Sequence, residues 1–98
     1  MTIHQNNNGS KLTFALEGRL DTTTAPQLEK ELRQAVEGVT DLTFDLAALE
    51  YISSAGLRVL LAAKKIMNKQ GEMVIRNANE SIIEIFEVTG FSDILTIE

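Results

Sequence analysis

The chain has 98 residues, 44% of them hydrophobic, with no cysteine and a formal net charge of −5. That length makes one domain with enough apolar content to bury a core. The absence of thiols excludes disulfides and thiolate metal sites, and the acidic balance argues against nucleic acid as a partner. Met1 leads into a polar segment, not into a basic stretch followed by a long apolar run. Neither a signal peptide nor a membrane span is therefore expected, and a cytoplasmic protein is the expectation.

Residues 2–5 read as a short edge strand, and Asn8-Gly9 as a hairpin turn, since both tolerate positive φ. Residues 11–17 alternate, with Leu12, Phe14 and Leu16 on one face and Lys11, Thr13 and Glu17 on the other, as a half-buried strand does. The single histidine, His4, lies on the first strand away from other catalytic residue types and reads as a surface residue. Gly18-Arg19-Leu20-Asp21 ends the second strand, and Thr22 to Thr24 lead into a helix. Thr24 and Gln27 have capping-box spacing, and Pro26 sits in the first turn, where its missing N–H costs nothing. Ala25, Leu28, Leu32, Ala35 and Val36 recur on one helical face, and Gly38 closes the helix.

Residues 42–46 read as the next strand, with Asp45 at its C-terminal end. Leu46, Leu49 and Ile52 then lead into Tyr51–Leu61, YISSAGLRVLL, a turn with two hydroxyls followed by a helix that runs to about Gln70 and stops at Gly71. Ser54, or Ser53 one residue earlier, suits the N-cap, where a side-chain oxygen accepts from a free backbone N–H. A helix N-terminus also tolerates negative charge, so a serine here can carry a phosphate. Capping serines are far commoner than switches, so local physics alone favours the plain cap. Residues 72–76 read as a strand, and Asn77 with Glu80 as a cap pair. Ile82, Ile85, Phe86 and Thr89 form a helical face ending at Gly90, and residues 94–97 read as a last short strand. Strands alternating with helices predict an α/β fold: a mixed, mostly parallel sheet with an N-terminal antiparallel hairpin and helices packed on it.

In the helix after the serines, Val59, Leu60, Ala63, Ile66 and Met67 share the sheet-facing arc, and Arg58, Lys64, Lys65 and Asn68 the polar one. Leu57 and Leu61 fall inside the polar arc. Two readings stand: a partner-docking patch, or Leu57 tucked under the preceding loop beside a singly exposed leucine. The basic residues of this helix and the acidic run Glu80, Glu84, Glu87, Asp93 and Glu98 read as two solvated faces of opposite sign.

Enzyme chemistry finds no support. I-S-S-A-G at residues 52–56 is not a G-x-S-x-G elbow, and the only histidine lies on an edge strand. The glycines form no phosphate-loop or dinucleotide pattern. Asp21 and Asp45 both follow strands and face the carboxyl-end rim, where a carboxylate pair can hold a divalent metal, though such acids are more often turn residues. Asp21 is expected near Ser54 on that rim.

The ordered set G-R-L-D at residues 18–21, F-D-L at 44–46, YISSAGLRVLL at 51–61, G-E-M-V at 71–74 and F-E-V-T-G-F at 86–91 resembles the bacterial anti-sigma factor antagonists. Their fold is the STAS domain, and the resemblance covers residues 1–98. It implies a partner-switching regulator of transcription. The unphosphorylated antagonist binds an ATP-binding anti-sigma factor that is also a serine kinase, and a sigma factor is released. Phosphorylation by that kinase ends the complex, and a serine phosphatase resets it. Setting Gly56-Leu57 on the family pattern Asp-Ser-Ser/Thr-Gly-Leu places the acceptor at Ser54, with Ser53 as the alternate. Ser53 stands where the family has aspartate, and Ala55 where it has a second hydroxyl. Many members carry a further C-terminal helix, and this sequence ends at Glu98. The candidate partner surface comprises Asp21, Thr22, Ser53, Gly56, Leu57, Arg58 and Leu61, with no catalytic residue, cofactor, metal, nucleic acid or membrane. The same fold occurs in lipid-transport accessory proteins and stress-sensing assemblies. The alternative function is a non-switching STAS scaffold subunit of a transporter or stress-signalling assembly.

Overall fold

The computed structural model describes residues 1–98. Five strands form one sheet in the order β1 (Thr2–Asn8), β2 (Lys11–Leu20), β3 (Asp41–Ile52), β4 (Glu72–Arg76) and β5 (Thr96–Ile97). β1 pairs antiparallel with β2, and the remaining pairs are parallel. The crossovers are helices α1 (Ala25–Ala35), α2 (Ser54–Met67) and α3 (Glu80–Thr89), the last followed by a 3₁₀ turn, Phe91–Asp93. This is the α/β architecture that the alternation of patterns predicts. No helix is long and apolar enough to cross a membrane.

One sheet face carries the core. Leu12, Phe14 and Leu16 of β2 pair in register with, or lie beside, Leu42, Phe44 and Leu46 of β3, and Met73 and Ile75 of β4 continue the layer. All of these are buried, and the Phe14 and Phe44 rings stack with centroids 5.7 Å apart. The predicted inner arc of α2 holds: Val59, Leu60, Ala63 and Met67 are buried, with Ile66 half-buried. The alternate strand positions, among them Lys11, Thr13, Asp41, Thr43, Glu72 and Arg76, form the opposite, polar face. No polar side chain is buried.

Several boundaries differ from the sequence reading, each for a local reason. β1 runs to Asn8, and the hairpin turn is Gly9-Ser10, with Gly9 alone at positive φ (+66°), as a turn with glycine first requires. The C-terminal strand is only Thr96–Ile97, because the Ile94 and Leu95 N–H groups are committed to the Phe91 carbonyl of the 3₁₀ turn. α2 ends at Met67, and Gln70 lies in the turn beyond, where its side-chain amide Nε2 donates to the carbonyls of Val36 and Val39 at 2.8 and 2.6 Å. α1 ends at Ala35 with Val36 as its C-cap, so Gly38 turns the chain two residues beyond the cap.

The largest difference is β3, which extends to Ile52 and does not stop at Leu46. The register with β2 slips twice, from Ala15↔Asp45 to Glu17↔Ala48 and from Gly18↔Leu49 to Arg19↔Tyr51. Each slip inserts one extra β3 residue, as β-bulges do. Inward residues therefore recur every third position, at Leu46, Leu49 and Ile52, all buried. That spacing hides the strand from a period-two search.

Gly71 joins α2 to β4 at the rim opposite the ends of the parallel strands. A Cβ there would run into the Thr40 carbonyl, which accepts from the Glu72 N–H at 2.9 Å. Backbone cannot rotate aside as a side chain can. Gly71→Ala is expected to lower unfolding free energy by about 1–3 kcal/mol, read from the midpoint of urea denaturation at unchanged slope.

Candidate functional site

The bulged strand delivers Ile52 opposite Leu20, so the ends of β2 and β3 leave the sheet side by side. The Ser53 N–H donates to the Leu20 carbonyl at 2.9 Å and ties the two exits together. Asp21 and the serine pair thus share the carboxyl-end rim, as expected. Ser53 is the N-cap of α2: its backbone is extended (φ −99°, ψ 176°), and its Oγ accepts from the Gly56 N–H at 3.4 Å. Ser54 is the first helical residue and is exposed. Of the two cap assignments open in the sequence, the structure selects Ser53.

Gly56 is buried because the first turn of α2 lies directly on the two strand ends. A Cβ at this position would sit 2.6 Å from Leu20 Cγ and 2.9 Å from Ile52 Cγ1. Leu57, on the next position, retains only 6% exposure and belongs to the core. The docking-patch reading of Leu57 is corrected accordingly: the helix begins so close to the strand ends that Leu57 is drawn into the core although its neighbours Ser54 and Arg58 stay exposed. Leu61, one turn on, is half-buried.

Asp21 organises the neighbouring loop. Its Oδ1 accepts from the Thr23 and Thr24 N–H groups at 3.0 and 3.1 Å, and its carbonyl accepts from the Ala25 N–H at 2.8 Å. The predicted Thr24–Gln27 capping box does not form. Thr24 instead turns its hydroxyl back, accepting from the Asp21 N–H and donating to the Arg19 carbonyl, both at 2.9 Å. The Gln27 N–H bonds to the Thr24 backbone carbonyl at 3.1 Å, so the hydroxyl is left to serve the loop. The second cap pair shifts similarly. Asn79, not Asn77, caps α3, accepting from the Ile82 N–H at 2.9 Å, while Asn77 adopts positive φ (61°) and donates to Asp45 Oδ1 at 3.1 Å.

Desolvation pushes the Asp21 carboxyl up, but the Thr24 and Thr23 N–H groups, the Thr24 hydroxyl and the Arg19 charge together hold it below the usual carboxylate range. Asp45 lies within β3, not at its end, and accepts from the Ala47 N–H at 3.0 Å. Asp21 thus holds its loop, and Asp45 joins the bulged part of β3 to Asn77.

Beside the serines, a groove of about 230 Å³ separates the first turns of α1 and α2, lined by Thr22, Ala25, Pro26, Glu29, Ala55, Arg58 and Val59. Thr22 and Arg58 are thus brought to the serine rim. A larger hollow of about 300 Å³ lies on the polar sheet face, lined by residues such as Lys11, Asp41 and Glu72 at the opposite strand ends. Sequence reasoning missed two rim residues. The Arg19 guanidinium lies 4.3 Å over the exposed Tyr51 ring and 3.8 Å from Asp21 Oδ2. Their partnership depends on the bulge that pairs Arg19 with Tyr51, so neither motif alone signals it. Glu29 on the groove wall carries no sequence signal. His4 is a surface residue, 3.5 Å from Glu17 with both side chains mostly exposed.

Two outcomes test this geometry. Leu57→Ala is expected to cost about 2–5 kcal/mol of folding free energy, as truncation in a core does; calorimetry showing an unchanged melting temperature would return Leu57 to the surface. The lowered Asp21 carboxyl contributes stability that is fully present above the ordinary aspartate value of ~3.9 and is lost as pH falls through its lower folded value. The stability gap between wild type and Asp21→Asn should therefore narrow on acidification below pH ~4, measured by urea unfolding across that range.

Comparison with known proteins matches this geometry to a family model, STAS domain, over residues 1–98. The chain is 42% identical over 88 residues to BtrV of Bordetella bronchiseptica, spanning 88% of this chain and 76% of that relative. It is 33% identical over 96 residues to the anti-sigma-B factor antagonist of Bacillus subtilis, spanning 97% of this chain and 86% of that relative. Among solved structures, the anti-sigma factor antagonist SpoIIAA in its unphosphorylated form is similar with a TM-score of 0.80 at 16% identity, over 99% of this chain and 87% of that one. At that identity the likeness concerns the fold.

Proposed function

The chain belongs to the STAS-domain family, and on that footing we propose that it is an anti-sigma factor antagonist controlled by phosphorylation of Ser54. The unphosphorylated form binds an ATP-binding anti-sigma factor serine kinase and so frees a sigma factor; a serine phosphatase restores that form after modification. The observation that carries this reading is the division of labour between the serines. Ser53 spends its hydroxyl on the N-cap, whereas Ser54 is exposed at the first helical position, with its hydroxyl in no hydrogen bond.

The surface offered to the partner is the rim of Asp21, Thr22, Ser53, Ser54 and Arg58, with the groove between α1 and α2 at its edge. Gly56 supports this surface from below through its contact with Leu20 and Ile52. Leu57 contributes through the core rather than by touching the partner, and half-buried Leu61 lies at the margin. A phosphate on Ser54 adds roughly −1.5 to −2 charges at this rim. Free N–H groups at the helix start tolerate that charge, so the fold persists. One cation does not neutralise a phosphate, so burying the modified rim under a partner that adds no cation of its own costs several kcal/mol, and about 1.4 kcal/mol is already tenfold in affinity. Phosphorylation thus blocks docking locally and does not refold the domain.

Incubation with the anti-sigma factor kinase of its own host and ATP, followed by mass-spectrometric mapping, tests the reading. Ser54→Ala should stay unmodified and keep its partner, Ser54→Asp should bind at least tenfold more weakly, and Ser53→Ala should still be modified. Modification of Ser53 in the Ser54→Ala protein at the wild-type rate would move the switch one residue. Absence of phosphate from every variant would instead favour a non-switching scaffold.

A further inference from the structure

We propose that Arg58 is the built-in counter-cation of a phosphate on Ser54, and that phosphorylation therefore alters the rim twice, by adding an anion and by withdrawing a cation. The inference rests on the assignment of Ser54 as acceptor. Ser54 and Arg58 are both exposed and stand one turn apart on α2. Residues four apart on a helix share a face, and an acid placed N-terminal to a base at that spacing is the favourable order. Side chains on a helix lean toward its N-terminus, so a long residue covers the turn preceding its own Cα. For Arg58 that turn contains Ser54. The guanidinium fork matches a phosphate through paired N–H donors, which an ammonium cannot do.

The surroundings leave Arg58 available. It takes part in none of the chain's ion pairs, which join His4 to Glu17, Arg19 to Asp21, Arg33 to Glu29 and Arg76 to Glu98. The charged group on the facing element is Glu29 of α1, which lines the same groove and has Arg33 3.9 Å away. From the neighbouring loop and strand ends, Asp21 and Arg19 lie 3.8 Å apart, with Arg19 over the Tyr51 ring, so Arg19 is already engaged. Arg58 is consequently the free cation on the Ser54 side of the rim.

The pairing also discriminates between the adjacent serines. At about 100° per residue, Ser54 and Arg58 are offset by roughly 40°, whereas Ser53 lies outside the helix and roughly 140° from Arg58. A phosphate on Ser53 would in addition displace the hydroxyl that accepts from the Gly56 N–H. Only the phosphate on Ser54 meets Arg58.

The test places phosphoserine directly at position 54 by genetic code expansion, so that no kinase is required. Phosphorus NMR then follows the second ionisation of the phosphate in the Arg58, Arg58→Lys and Arg58→Gln proteins, with circular dichroism as a check on folding. The phosphate is expected to titrate on the order of half a unit lower with Arg58 than with glutamine, with lysine between them. Phosphoserine placed at position 53 should titrate alike in all three. Equal midpoints at position 54 with and without Arg58 would overturn the proposal, as would an equal dependence on Arg58 at position 53. If the kinase fails to modify Ser54, the functional reading falls, while this measurement stands on its own.

Discussion

The contact between the first turn of α2 and the ends of β2 and β3 is the constraint on which the functional rim depends. Leu20 and Ile52 point at the helix, and only a residue without a Cβ at position 56 lets the backbone come down onto them. Alanine would be the better helix former by about 1 kcal/mol, so the glycine marks a place where packing overrides propensity. The closeness encloses Leu57, leaves Ser54 at the lip, and puts the cap of α2 within a backbone hydrogen bond of the loop organised by Asp21. The chemistry of the rim is thus set by a steric fact in the core beneath it.

The same constraint explains what was legible in the chain and what was not. Strict alternation in β2 and helical periodicity in α1 and α2 each report on one element packing on one layer, and they placed those elements and most of the core. Leu57 was ambiguous because a helical wheel assumes one buried face. The first turn of α2 sits directly on the ends of β2 and β3, so a residue in the polar arc can still lose nearly all its exposure. The second half of β3 was illegible because its bulges change the period of inward residues from two to three. The α3 cap was misplaced because Asn77 and Asn79 both offer an acceptor, and a tertiary contact decides which one turns toward the helix. Asn79 also donates to the Leu49 carbonyl, 3.1 Å away across the fold, and no local pattern contains that.

The serine assignment shows how adjacent identical residues acquire different roles. Ser53 still has extended backbone, and its amide completes the β2–β3 pairing; Ser54 already has helical backbone and projects outward. The distinction comes from where the strand ends, which in turn follows from the bulges. Two insertions in one strand, the second only three residues before Ser53, therefore determine which hydroxyl solvent can reach.

The polar face of the sheet has a different consequence. All three crossover helices leave it uncovered, and its side chains project from the same strands whose other face builds the core. The exposed positions among them, such as Lys11, Asp41, Glu72 and Arg76, take no part in core packing. Such surface positions usually change stability by no more than about half a kcal/mol when substituted. Lineages can rewrite the electrostatic character of that face, and an experimenter can mount a dye or a surface anchor there, while the rim at the strand ends keeps its geometry.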